Sequence, residues 1–246
     1  MQIAAFQKLT LLDFPGKTAC TVFTPGCNFR CGYCHNPELV LPERSPELIA
    51  EEKFFAFLDQ RKGLLDGVCV TGGEPTLQKD LPEFLKKIRK RGFAVKLDTN
   101  GSEPVVIEKL FQARLLDYVA LDIKASILRP SASPGATEDK SPDNYEKLTG
   151  VKGIAEKVRT SKNLIEQSGV DYELRTTLVR EIHDEAEFGK ILEFVRGTPK
   201  FFLQNFQASG GCLDPAFERM HGFTKAELEK MCERAKEFVG ECGVRT

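Results

Sequence analysis

The stretch TPGCNFRCGYCHNPEL, residues 24–39, gathers Cys27, Cys31, Cys34, His35 and Asn36. Thiols and an imidazole this close together are metal donors, and three centres are compatible with them. CGYCH taken alone is a c-type haem attachment pattern. Cys27, Cys31, Cys34 and His35 together would make a Cys3His zinc site. The three cysteines without the histidine would hold an iron–sulfur cube with one iron open to a substrate or cofactor. Haem attachment leaves Cys27 unexplained and normally requires export. For His35, capping or turn packing is an alternative to metal ligation, and Asn36 and Pro37 suit a turn.

Composition narrows the setting. The chain has 246 residues, with 35 basic and 36 acidic side chains and eight cysteines. That length allows one large α/β domain with a sizeable core. Balanced charge argues against a nucleic-acid surface. No apolar run is long enough to cross a membrane. The opening MQIAAFQKLTLLDFPGK lacks the charged start and apolar run of a signal peptide, so a cytoplasmic protein is expected. In that reducing compartment eight cysteines are not a disulfide framework. Cys20 and Cys69 lie in apolar runs and read as small buried hydrophobes. Cys212, Cys232 and Cys242 are scattered, without the C-x2-C spacing that would suggest a second cluster.

Strand-length apolar runs recur, each followed by a helical pattern. TACTVFT (18–24) precedes a helix opened by Ser45 and Pro46 and running to about Arg61. GVCVTGG (67–73) precedes a helix with an Asp80–Glu83 capping box and Leu81, Phe84, Leu85 and Ile88 on one face. FAVKLDTNG (93–101) precedes a helix at 104–113. DYVALDIKA (117–125) precedes a Ser- and Pro-rich segment, 126–144, that reads as a long mobile loop, and then a helix at 151–168. YELRTTLVR (172–180) precedes a helix opened by Asp184 and Glu187. KFFLQNFQ (200–207) precedes a last helix at 224–240, opened by a Thr224–Glu227 box.

Six alternating strand–helix units imply one domain, 1–246, with a parallel sheet and right-handed crossovers. Six are too few for an eight-fold barrel, which leaves a partial barrel or a doubly wound sheet. In both, chemistry belongs at the C-terminal ends of the strands. The cysteine loop, Gly72–Glu74, Asp98–Asn100, Asp122 with Lys124, Arg175 with Thr177, and Gln204–Gln207 all fall on that rim. TNG alone reads as a common turn.

These residues carry a resemblance. C-x3-C-x-aromatic-C after the first strand, with GGEP after the second, resembles the radical S-adenosylmethionine (radical SAM) superfamily. DFPGKTACTVFTPGCNFRCGYCHNPEL, TGGEPTLQ, LDTNG, LDIKA and YELRTTLV resemble the activating enzymes of glycyl radical enzymes, in particular the branch serving anaerobic ribonucleoside-triphosphate reductase. The resemblance covers roughly residues 1–207. It implies a partial (β/α)6 TIM-like barrel. It implies that Cys27, Cys31 and Cys34 hold a catalytic [4Fe–4S] cluster whose open iron is chelated by the methionine amine and carboxylate of S-adenosylmethionine. Reductive cleavage would then yield a 5′-deoxyadenosyl radical that takes a hydrogen atom from a glycine of a partner protein. The backbone of Gly72 and Gly73, with the Glu74 carboxylate, would take the amine. Lys124 would take the carboxylate. Asp98, Thr99 and Asp122 resemble positions that bind a monovalent cation, and Asp122 alternatively suits ribose hydroxyls. The Tyr33 backbone would lie near the adenine, and Arg175 near cofactor or partner, with an ion pair to Asp122 as its structural alternative. Gln207 stands where the pyruvate formate-lyase branch commonly has a histidine, which is a departure from that pattern. A cysteine-rich insertion frequent in this family is absent from residues 35–68.

The expected partners are a glycyl radical enzyme, namely anaerobic ribonucleotide reductase, and flavodoxin or ferredoxin as electron donor. Two other functions compete. One is a radical SAM enzyme acting on a small molecule such as a deazapurine precursor or a nucleotide. The other is a zinc-binding interaction module, which leaves the polar strand ends unexplained.

Overall fold

ACTVFT, GVCVTG, AVKLDT and YVALD are dominated by small, β-branched and aliphatic side chains, and each forms a strand buried over most of its length. In the computed structural model, residues 1–44, 46–127, 144–208 and 211–245 are described. They divide into two compact units. The first comprises Met1–Asn28, Asn36–Leu121 and Thr160–Tyr172, the second Phe29–His35, Asp122–Arg159 and Glu173–Thr246.

The first unit contains β1 (Ala5–Thr10), β2 (Ala19–Thr24), the short α1 (Pro37–Val40), α2 (Glu51–Asp59), β3 (Gly67–Gly72), α3 (Leu81–Arg89), β4 (Ala94–Thr99), α4 (Pro104–Gln112) and β5 (Tyr118–Asp122) up to Leu121. β1 runs antiparallel to β2, while β2, β3, β4 and β5 are parallel in that order. The register sets Thr24 beside Gly72, and Thr99 beside Leu121. It therefore brings the polar residues that follow these strands to one edge. Val22, Val68, Val70, Val95, Leu97 and Val119 are fully buried, as strands covered on both faces require. Leu81, Phe84, Leu85 and Ile88 of α3 are buried too, and Phe84 stacks on Phe54 of α2 at 5.5 Å between ring centroids.

The second unit contains α5 (Asn144–Thr149), the start of α6 (Ile154–Gln167), most of β6 (Asp171–Leu178), α7 (Glu185–Phe194), β7 (Lys200–Asn205), α8 (Lys225–Ala235) and β8 (Glu241–Arg245). β6, β7 and β8 are parallel in that order. Leu174, Leu178, Phe188, Ile191, Phe201, Leu203 and Leu228 form its buried face.

Several expectations change. β1 and β8 were not among the expected strands. Ser45 lies outside the described residues, and Pro46 does not open a helix. Instead Ile49 bridges Ile3, with its N–H on the Ile3 carbonyl at 2.8 Å, and α2 starts only after that extended stretch. Asp80 precedes α3 but does not cap it, because its carboxylate lies 2.5 Å from the Met1 ammonium. The helix read at 151–168 is α6, with α5 before it. The Thr224–Glu227 capping box is present in full. Most of the segment 126–144, read as a mobile loop, lies outside the described residues. No helix among the described residues is long and apolar enough to cross a membrane.

Candidate active site

In the first unit the site begins where β2, β3 and β4 end. The backbone turns sharply, with Gly26 at φ +87° and Gly72 at φ +122°, values that favour glycine. Gly73 donates to the Thr24 carbonyl and Glu74 to the Gly26 carbonyl, both at 2.8 Å. A side chain on Gly73 would run into the backbone of Gly26 and Leu39. The glycines thus let the GGEP turn press against the start of the cysteine loop.

Glu74 is fully buried. Its Oε1 accepts from Thr76 N at 3.1 Å, Thr76 Oγ1 at 2.5 Å and Thr99 Oγ1 at 2.8 Å. Its Oε2 accepts from Asn100 N at 2.7 Å. Burial raises its pKa, against the pull of these donors. The carboxylate therefore ties the end of β3 to the end of β4, a role its place in the motif did not suggest. Asn100 continues the tie: its Nδ2 donates to Asn28 Oδ1 at 3.1 Å and reaches Cys27 Sγ at 3.9 Å. The sequence placed Asn100 on the rim with Asp98 and Thr99, with a common turn as the alternative, but gave it no role of its own.

Asp98 and Thr99 are engaged as well. Asp98 pairs with the wholly buried Lys96 ammonium and accepts from Cys69 Sγ at 3.6 Å. Thr99 Oγ1 also takes the N–H of Gly101 at 3.1 Å.

In the second unit, Phe29–His35 carries Cys31 and Cys34. Arg30 N donates to the Thr149 carbonyl at 2.8 Å, and Cys34 N to the Cys31 carbonyl at 3.0 Å. Cys31 is buried and Cys34 half-buried. Burial pushes the Cys31 thiol up to about 11, opposed first by the Lys124 ammonium. The Tyr33 hydroxyl is also buried, close to Cys31 but without a hydrogen bond of ordinary geometry. His35 stacks on Phe206 at 5.4 Å, in line with packing.

Charges alternate beside this loop. Asp122 accepts from Arg175 Nε at 2.8 Å and from Lys124 Nζ at 3.2 Å. These two cations hold its pKa well below the carboxylate range despite burial, and Asp122 in turn holds Lys124 protonated. The buried Glu173 lies 4.0 Å from Arg175 and receives both arms of Arg245 at 2.8 and 3.0 Å. Lys124 is fixed through its backbone: its N–H donates to the Tyr145 hydroxyl at 3.2 Å, and its carbonyl accepts from His183 Nε2 at 3.0 Å. His183 Nδ1 accepts from Val179 N at 3.0 Å, which sets its tautomer, and burial lowers its pKa. Neither Tyr145 nor His183 carries a motif in the sequence. Gln207 is exposed and makes no hydrogen bond among the described residues.

The donor chemistry suits an iron–sulfur cluster. All eight cysteines are free thiols. The Lys124 ammonium beside Cys31 opposes the effect of burial on that thiol, and an amide donor reaches Cys27. Among the described residues, no group of three or more His, Cys, Asp or Glu side chains is arranged around a metal position. The fit therefore rests on the donors and not on a closed cage.

The thiol loop after the first parallel strand and the paired carboxylates and glycines at the following strand ends define a class. The radical SAM superfamily profile matches residues 21–195, and the chain belongs to that superfamily. It is therefore a radical SAM enzyme with a parallel α/β, partial TIM-barrel fold, and membership implies a [4Fe–4S] cluster and S-adenosylmethionine as cofactors. A protein of Methanocaldococcus jannaschii named as a glycyl-radical enzyme activating enzyme is 30% identical over 99% of the chain and 95% of its own length. The pyruvate formate-lyase-activating enzyme of Clostridium pasteurianum is 28% identical over 85% of the chain and 83% of its length. The 7-carboxy-7-deazaguanine synthase of Methanopyrus kandleri is 32% identical over 53% of the chain and 56% of its length. Among solved structures, Streptococcus suis SuiB bound to S-adenosylmethionine superposes with a TM-score of 0.65 at 14% identity, over 92% of the chain. The chain spans about half of SuiB, 52% of its length, so this likeness concerns the fold alone.

Proposed function

We propose that the chain is a glycyl-radical-enzyme activating enzyme. The observation that carries this reading is similarity to a protein of that name, 30% identical over 99% of the chain and 95% of that protein's length. Of two small-molecule enzymes that match, one covers about half of the chain and the other, at 25% identity, is matched over only 66% of its own length. When bound, the cluster and S-adenosylmethionine supply the one-electron cleavage that yields methionine and the 5′-deoxyadenosyl radical, which takes hydrogen from a partner's glycine.

The chain's own part is binding and orientation. Cys27, Cys31 and Cys34 hold the cluster. Lys124, fixed by Tyr145 and His183, takes the methionine carboxylate, and the Gly72–Gly73 backbone takes the amine. Because the Glu74 carboxylate already has four donors, it serves by fixing that backbone. The Tyr33 backbone would lie near the adenine, and Asp122, held by Arg175, would accept from the ribose hydroxyls. A monovalent cation at Asp98, Thr99 and Asp122 would have to compete with Lys96, Glu74, Lys124 and Arg175, which already engage these residues. Gln207, being exposed, suits contact with the partner. That partner is read as anaerobic ribonucleotide reductase, with flavodoxin or ferredoxin as electron donor.

The test is anaerobic. Protein reconstituted with iron and sulfide, reduced with dithionite and given S-adenosylmethionine should form 5′-deoxyadenosine, and Cys31→Ala should form none. Addition of anaerobic ribonucleotide reductase should then give a glycyl radical by electron paramagnetic resonance. A radical on pyruvate formate-lyase alone would reassign the partner. Zinc without sulfide, and no 5′-deoxyadenosine, would overturn the enzyme reading.

A further inference from the structure

Residues 211–223 carry no apolar periodicity and no motif, yet in the second unit part of this segment is built onto the cysteine loop. Leu213 N donates to the Cys34 carbonyl at 3.0 Å, and Asp214 N donates to the Gly32 carbonyl at 3.1 Å. These bonds hold the loop by its backbone on either side of Tyr33. The segment is itself fixed: Asp214 Oδ1 accepts from Ala216 N at 2.9 Å and caps the 3-10 helix Pro215–Arg219. Cys212 enters the segment buried.

The side chains meet where the backbones do. Phe217 covers Gly32, the residue after Cys31. A Cβ at Gly32 would lie 2.9 Å from Phe217 Cζ and closer still to Cε2 and Cδ2. A side chain at 32 would make the half-buried Phe217 ring move away, so a ring at 217 and a bare Cα at 32 are a matched pair. Gly32 has no positive φ to explain its identity. The same ring lies 6.1 Å from that of Tyr33, tilted by 53° and within the distance range of interacting aromatic pairs.

We infer that Leu213–Phe217 is a strap that positions the cluster-binding loop and shields it from water, with Phe217 as the positioning residue. This rests on the radical SAM reading, because the strap's function is defined by the cluster it protects. Outer contacts of this kind tune metal affinity and, by excluding solvent, the potential of an iron–sulfur centre.

The test uses four full-length proteins reconstituted anaerobically: wild type, Gly32→Ala, Phe217→Ala and the double variant, with Phe217→Leu as a conservative control. The readouts are iron and sulfide content, the rate of cluster loss to a chelator followed by visible absorbance, and the electron paramagnetic resonance of the reduced cluster. Thermal melting of each cluster-free chain reports folding separately. Gly32→Ala should lose its cluster about 10–100-fold faster than wild type, the range for outer-contact changes at metal sites. Phe217→Ala should also lose it faster, Phe217→Leu should stay near wild type, and the double variant should lose it no faster than Phe217→Ala alone. That non-additivity is the signature of a size-matched pair, which two independent destabilisations do not give. Gly32→Ala behaving as wild type, or a double variant in which the two effects add, would overturn the strap. Failure of the wild type itself to take up iron and sulfide would instead overturn the radical SAM reading.

Discussion

Lys96 and Asp98 stand two residues apart on β4, so both side chains leave the same face of the strand. The ammonium is wholly buried and its nearest partners are the Asp98 carboxylate and the Cys69 thiol. Removing one member of a buried pair costs more than the pair contributes, because the other charge is left desolvated. Asp98→Asn is expected to lower stability by about 3–5 kcal/mol in urea unfolding, and Lys96→Met with Asp98→Asn to recover much of that loss. His183 gives a pH prediction. Its folded pKa is lowered by burial, so below about pH 6.5 the unfolded chain binds a proton that the native imidazole refuses. Stability from neutral His183 is present above that pH and falls as pH drops toward the lowered folded value. The wild type should lose more stability between pH 7.5 and 5.5 than His183→Gln does, measured by urea unfolding at both pH values.

At the scale of elements, α7 does more than cover the strands of the second unit. Glu187, in its first turn, accepts from Ser126 N at 2.7 Å, Ser126 Oγ at 3.1 Å and Asn144 Nδ2 at 2.8 Å. One buried carboxylate thus holds the chain on both sides of residues 128–143. Glu187→Gln retains the shape but cannot accept on both ends, and should cost about 1.5–3 kcal/mol. Amide hydrogen exchange should quicken in α5, which begins at Asn144; unchanged exchange there would show that α5 is held by other contacts.

The same elements mark how far the sequence could be read. Parallel strands buried on both faces leave continuous apolar runs, so β2 to β7 were legible. β1 is largely exposed, and β8 is short, with a glycine at its centre, so neither shows such a run. The cysteines and GGEP stood out by spacing. Asn100, Tyr145, His183 and Phe217 did not, because each acts through a partner distant in sequence. Asp80 fitted a local capping rule, but the Met1 ammonium attracts its carboxylate more strongly than a backbone N–H does.

Across the whole molecule, acidic and basic residues are almost equal in number, yet the second unit places them in an ordered row. Arg245 of β8 meets Glu173, Glu173 faces Arg175, Arg175 meets Asp122, and Asp122 meets Lys124. Arg245→Met takes both hydrogen bonds from the buried Glu173 and should cost up to about 3 kcal/mol in thermal or urea unfolding. Adding Glu173→Gln should restore most of it, and no restoration would show that Arg245 acts through its stacking over Phe202, 3.9 Å from that ring's centroid.

The row has odd parity. Starting and ending on a cation, it holds one positive charge more than its two carboxylates neutralise, and in the proposed reading the end nearest the cysteine loop is Lys124. A ligand that brings its own carboxylate makes the count even. One of the same size and shape that lacks a carboxylate leaves Lys124 to Asp122 alone, so discrimination between them would turn on that single added ion pair.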